Sequence, residues 1–144
     1  MRDSIVIERD IKAPIERVFK ALITPEDLMK WHHAGDGWKT PYAEVDAKVG
    51  GSIKIGYSSA DGTQTFDFGA VISEINEPTR LAYYLQVEDL ISKDNRLVSY
   101  DLSEKDGITH VRVEFDIEHV HDKELQRKGW SEHYDYLQAL LEEN

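Results

Sequence analysis

The residue types that most often carry chemistry are histidines, paired carboxylates, cysteines and activated serines. Here the cysteines are missing altogether. That removes disulfides, thiolate nucleophiles and cysteine-held zinc or iron–sulfur centres from consideration. His32-His33 with Asp36 makes a loose cluster, and His119 and His121 fall two apart on one strand face. A zinc site needs three or four convergent ligands, and no helical His-x3-His pair supplies them. No metal site is expected. Asp27, Glu44, Asp46 and Asp67 sit at positions expected to be solvated and define no acid–base pair. Ser52 has no nucleophile-elbow context, and no phosphate-binding glycine motif occurs. The residues therefore name no catalytic group, no reaction and no cofactor. Binding is expected rather than catalysis.

Aromatic side chains are the richer signal. Trp31, Trp38, Tyr57, Phe66, Phe68, Tyr83, Tyr84, Tyr100, Phe115, Trp130 and Tyr134 fall on several different elements. Any one of them alone is ordinary core. Together, rigid rings with a few polar tips suit the lining of a pocket for a small apolar molecule, and the nine other than Tyr83 and Tyr100 are the candidate ligand-binding residues. Gly129 stands beside Trp130 inside a helical stretch, where glycine costs about 1 kcal/mol relative to alanine. Close helix–sheet packing is one reason that suggests itself; space for a ligand, or a bend that opens the pocket, is the other. Arg9 interrupts an isoleucine face; a snorkelling or acid-paired arginine is the expectation, an anionic ligand group the alternative.

Those residues must be held by elements that the patterning makes legible. Ile5, Ile7 and Ile11 alternate with Glu8, Asp10 and Lys12, which predicts a half-buried first strand. Pro14 stops it and suits a helix start, with Val18, Phe19, Leu22 and Ile23 at helical spacing. Thr24-Pro25-Glu26-Asp27 predicts a second, short helix carrying Leu28, Met29 and Trp31, capped by the threonine. Six strands follow, at about residues 43–47, 52–59, 64–75, 81–88, 96–103 and 109–118. Gly50-Gly51 and Glu77-Pro78 punctuate them, and Asp61-Gly62 and Asp106-Gly107 are tight hairpin turns. Val111, Val113, Phe115 and Ile117 share one face, so the sheet has one buried and one wet side. Over about 123–143, Trp130, Tyr134, Leu137 and Leu141 form one apolar helical stripe. That stripe must be buried against the one-sided sheet, which makes an α+β domain.

Length and charge narrow the class further. A chain of 144 residues without repeats or linkers is expected to be one domain spanning residues 1–144. A net charge of −11 repels phosphate backbones and anionic lipid, so neither nucleic acid nor a membrane surface is an expected partner. No apolar signal core opens the sequence, which makes the cytoplasm the expected location. A monomer and a homodimer are equally compatible with it.

Several segments also resemble a known family. They are Ile7 to Leu22, Trp31-His32-His33-Ala34, Trp38-Lys39-Thr40-Pro41, Val49-Gly50-Gly51 and Gly129-Trp130. As a set they are similar to the family named for the activator of the heat-shock-protein-90 ATPase, within the START-like (SRPBCC) superfamily. The similarity runs from about Ile5 to Leu141. It implies a helix-grip, Bet v 1-like fold, a curved antiparallel sheet wrapped around a long C-terminal helix with a cavity between them. By resemblance the ligand is lipid-, polyketide- or flavonoid-like. A chaperone partner, or cyclase- or hydrolase-type catalysis with a tyrosine or a histidine such as His133 as acid or base, are the alternatives it implies. The acidic stretch Glu88–Asp94 is longer than the expected connection and would shape the pocket mouth.

Overall fold

Alternating apolar residues in seven segments need a common surface to bury, and one sheet provides it. The computed structural model describes residues 4–32, 37–85, 96–116 and 122–142, with Phe66 described through its backbone alone. The elements are β1 (Ser4–Ile11), α1 (Ile15–Ile23), α2 (Pro25–Trp31), β2 (Lys39–Val45), β3 (Ser52–Ser58), β4 (Thr65–Asn76), β5 (Arg80–Leu85), β6 (Leu97–Lys105), β7 (Ile108–Asp116) and α3 (Lys123–Glu142). All seven strands form one antiparallel sheet in the order β1-β7-β6-β5-β4-β3-β2. The first strand thus pairs with the last, Ile5 opposite Phe115 and Ile7 opposite Val113. The sheet curls around α3, which gives the expected helix-grip architecture.

Turn chemistry follows the sequence at one of the two expected hairpins. Asp106 and Gly107 both have positive φ, 54° and 79°, as a primed two-residue hairpin turn requires. Between β3 and β4 only Gly62 has positive φ, and the Ser59 N–H donating to the Gln64 carbonyl at 2.8 Å closes a wider loop than a tight Asp61-Gly62 turn. Pro14 forms the boundary of α1 and Pro25 opens α2. Thr24 stands at the N-cap of α2, yet its hydroxyl makes no capping bond. β2 begins at Lys39, four residues before the expected start. Pro41 lies inside it because β2 is an edge strand with a register shift between Lys39 and Tyr42, where a missing N–H breaks no ladder.

Inside the curl, Ile5, Ile7, Ile11, Val98, Leu102, Val111 and Val113 are buried against Phe19, Leu22, Leu137 and Leu141. Outside it the sheet carries paired charges, among them Arg80 with Asp101 at 2.8 Å and with Glu74 at 3.0 Å. Asp27, expected on a solvated face, is instead largely buried. Its two carboxylate oxygens accept from the two terminal nitrogens of Arg17 at 2.7 and 3.0 Å, clamping α2 to α1.

α3 is held on β1 by a strap of polar contacts. Arg9 donates to Asp135 at 2.5 Å, to Gln138 at 3.2 Å and to the carbonyl and hydroxyl oxygens of Ser131 at 2.9 and 2.7 Å. β1 is an edge strand, and α3 side chains meet its outward backbone groups. Arg127 donates to the Val6 carbonyl, Gln138 to the Asp10 carbonyl, and Glu142 accepts from the Lys12 N–H. An edge that would otherwise invite another strand is thereby covered. Arg9 takes the acid-paired role expected of it.

Candidate interior binding site

The helix runs close to β1, α1 and α2 along its backbone, and rings reach from it toward the middle of the sheet. From α3, Trp130 stacks on Phe115 of β7 with ring centroids 4.4 Å apart. Tyr134 crosses edge-on to Tyr100 of β6, hydroxyl to hydroxyl at 2.8 Å. His133 lies 4.9 Å from Trp31 and 4.3 Å from His32, ring centre to ring centre. The interval between helix and sheet is thus spanned by large side chains rather than by close backbone packing.

Of the nine candidate residues, Trp31 and Phe68 line a small void together with Leu22, Leu28, His32, Ile53, Ile55, Tyr83 and Tyr100. Its volume is about 10 Å³, room for about one water. Trp31 is 1% exposed, and its indole N–H donates to the Ala21 carbonyl at 2.7 Å. Phe68 meets both His32 and Tyr83 edge-on. Tyr57 is buried one step away, its hydroxyl hydrogen-bonded to His32 Nδ1 at 2.5 Å. Tyr134 joins through Tyr100, and Phe115 with Trp130 continues the ring layer, Trp130 lying 6.1 Å from Tyr134. Trp38 is half-buried against the core just before β2. The side chain of Phe66 lies outside the described residues, as do His33, Asp36, His119, His121 and the stretch Glu88–Asp94.

Tyr84 requires correction. Leu81, Tyr83 and Leu85 share the core face of β5, so Tyr84 lies on the opposite face, half-buried and away from the helix. Strand alternation allows only one of two adjacent tyrosines to point inward, and it is Tyr83. Tyr83 and Tyr100, part of the aromatic set but not of the nine candidates, complete the site. The available signal was their spacing of two from Leu81 and Leu85, and from Val98 and Leu102. Gly129 departs from the packing and ligand-space reasons: a side chain built there meets nothing within 4 Å, and the glycine is not among the residues lining the void.

The electrostatic character of the site is that of neutral hydroxyls in an apolar setting. Tyr83, Tyr100 and Tyr134 form a row, with hydroxyl separations of 3.1 and 2.8 Å. Burial pushes all three phenols well above the ordinary tyrosine range, and that of Tyr57 likewise, so each keeps its proton at neutral pH. Among the described residues no group of three or more histidines and acids is arranged to hold a metal ion, and no helix is long and apolar enough to cross a membrane. Such a site combines apolar walls with uncharged phenol hydroxyls. Among the described residues no lysine or arginine lines the void.

The architecture recurs in known proteins. A solution structure of an AHSA1-like protein from Aeromonas hydrophila superposes with a TM-score of 0.87 at 30% identity, over 96% of this chain and 92% of that one. A Chromobacterium violaceum protein gives 0.85 at 25% identity over 99% of both chains. A Cytophaga hutchinsonii protein gives 0.77 at 28% identity over 95% and 90%. No curated protein matches the chain. Residues 12–142 match the family model described as activator of Hsp90 ATPase homolog 1-like protein. With nearly the whole of the described fold inside that match, the chain belongs to the activator of Hsp90 ATPase homolog 1-like family.

Proposed function

We propose that the protein binds a small apolar molecule, lipid-, polyketide- or flavonoid-like, between α3 and the concave face of the sheet. One observation carries this reading: Trp31, His32, Phe68, Tyr83 and Tyr100, residues that include two phenols and an imidazole, line an apolar void in the interior. A polar cluster there has no structural necessity, since aliphatic side chains would fill the space without desolvating hydroxyls. A binding site, by contrast, needs apolar walls with a few convergent polar groups. The void is water-sized, so a guest enters by displacing rings, and rings rather than backbone are what separate helix from sheet. Burial of its surface at about 25 cal/mol per Å² supplies the drive.

Thermal unfolding in the presence of a panel of planar apolar compounds tests the proposal. A ligand that prefers the native state must stabilise it, by about 2.7 kcal/mol at a hundredfold excess over its Kd. The expected hits also perturb the indole resonance of Trp31. A panel without a single stabilising compound sinks the reading.

The family match favours a second reading, docking on a chaperone of the Hsp90 class. It expects the protein to co-purify with the bacterial homologue of that chaperone. A failure to associate at micromolar concentrations counts against it, and leaves the first reading untouched.

A further inference from the structure

The three buried tyrosines hold one proton more than they can use. Tyr83, Tyr100 and Tyr134 are 4%, 2% and 1% exposed. Their hydroxyls bring three donatable protons and form two hydrogen bonds among the described residues, Tyr83 with Tyr100 and Tyr100 with Tyr134. Tyr100 stands in the middle and has a single proton, so three arrangements of the row are possible. Tyr100 accepts from both neighbours and keeps its own proton spare, or the row donates toward Tyr134 and leaves the spare there, or it donates toward Tyr83 and leaves it at that end. Two of the three leave the spare proton on Tyr83 or Tyr100, the two members of the row that are among the residues lining the void. A buried donor without an acceptor costs about 1–3 kcal/mol, a cost that an oxygen entering the void would remove.

We infer that the guest is an uncharged, flat molecule carrying a carbonyl-type acceptor, which takes the spare proton of the Tyr83–Tyr100–Tyr134 row. This inference rests on the interior binding reading and sharpens it from any apolar ligand to a ketone- or quinone-like class. The walls support flatness, since Trp31, His32, Phe68 and Tyr83 present ring surfaces and edges around the space. They also argue against a fatty acid or other carboxylate. Among the described residues no lysine or arginine lines the void, and the Nδ1 of the one lining histidine, His32, is already bonded to the Tyr57 hydroxyl; an unpaired buried carboxylate is far costlier than a buried carbonyl. Tyr83 and Tyr100 are then specificity-determining residues.

Three probes of matched size separate the possibilities: acetylnaphthalene, ethylnaphthalene and naphthoate. Their affinities are measured on the wild type, on Tyr134→Phe, and on the double variant Tyr83→Phe with Tyr100→Phe. In the wild type naphthoate should bind most weakly. The ratio of acetylnaphthalene to ethylnaphthalene affinity should fall roughly three- to tenfold in the double variant, as loss of one neutral hydrogen bond implies. Tyr134→Phe should keep the ratio, because the two remaining hydroxyls make one bond and leave one proton at the void whichever way it runs. A ratio unchanged in the double variant overturns the inference while binding itself stands. Naphthoate binding better than acetylnaphthalene overturns it on the wild type alone, even if the double variant does not fold. Failure of all three probes to bind overturns the interior reading, and the inference with it.

Discussion

Two side chains show how differently a sequence exposes a residue's environment. Gly129 is legible as an anomaly but not as a cause, because composition cannot say what lies opposite one helical position. The structure finds open space there. The glycine thus carries its propensity cost with no packing gain, and Gly129→Ala should stabilise the protein by up to about 1 kcal/mol. Urea unfolding measures this directly, and a destabilised variant would reveal a contact made at that position. Nothing in the sequence singles out His110, which alternates with the buried Thr109 and Val111 in β7. In the fold it meets Asp10 across the strand pair, Nδ1 to carboxylate at 2.7 Å, and Glu8 at 3.1 Å through Nε2. These hydrogen bonds, that of Asp10 first, raise its pKa above the ordinary 6.5. A raised folded-state pKa means that the protonated form is favoured by folding. Its contribution is therefore complete below about pH 6.5 and disappears as pH rises through the higher folded value. An NMR titration should place the His110 midpoint above 6.5, and Asp10→Asn should bring it down. A midpoint at or below 6.5 contradicts the pairing. Tyr83 and Tyr84 teach the complementary lesson. Adjacent tyrosines differ by one residue in sequence and by a whole face in the sheet, so the alternation of their aliphatic neighbours is a better guide than ring identity.

Elements were largely legible because each is over-determined. β7 has an alternating pattern, a hairpin turn of the right type before it and a partner strand of matching pattern in β1. β2 was misplaced at its start because proline punctuates most chains, and only the sheet order reveals that this strand is an edge. The attachment of α3 was legible by half. Its apolar stripe is periodic, but the polar strap joins residues more than 120 positions apart, such as Arg9 and Asp135, and no local pattern announces such a pairing. That strap carries a prediction about the element as a unit. The Arg9 side chain is 21% exposed and makes four hydrogen bonds to three α3 residues, whereas Asp135 is 61% exposed and contributes little as an isolated ion pair. Arg9→Met keeps the aliphatic stem and removes the guanidinium. It should cost about 1–2 kcal/mol overall, with hydrogen-exchange protection of the α3 amides falling more than that of β3 and β4. Equal losses in helix and sheet would mean that the strap merely adds to global stability and does not fasten this helix.

At the scale of the molecule, the fold class was legible from the count and order of patterned segments, while the size of the interior space was not. A void of about 10 Å³ is the small difference between the volume inside the curl and the summed volume of the rings that fill it. A list of aromatic residues cannot give that difference. Net charge, by contrast, is a whole-molecule property read directly from the sequence, and here it meets an opposing term from the structure. Like charges roughly 20 Å apart, a typical spacing on a domain of this size, repel by ~0.2 kcal/mol in water. Accumulated over a net charge of −11, this amounts to on the order of 10 kcal/mol without screening. Unfolding spreads the same charges over a radius of roughly 40 Å and relieves more than half of it. Exposed ion pairs such as Arg80–Asp101 and Arg112–Glu114 pull the other way, at about 0.2–1 kcal/mol each. Repulsion should therefore dominate. Raising sodium chloride from about 10 to about 150 mM shortens the Debye length from about 30 to about 8 Å. It should stabilise the fold by about 1–2 kcal/mol and raise the Tm by several degrees. A Tm that falls over the same range would show that the paired charges on the outer sheet face outweigh the excess of acids.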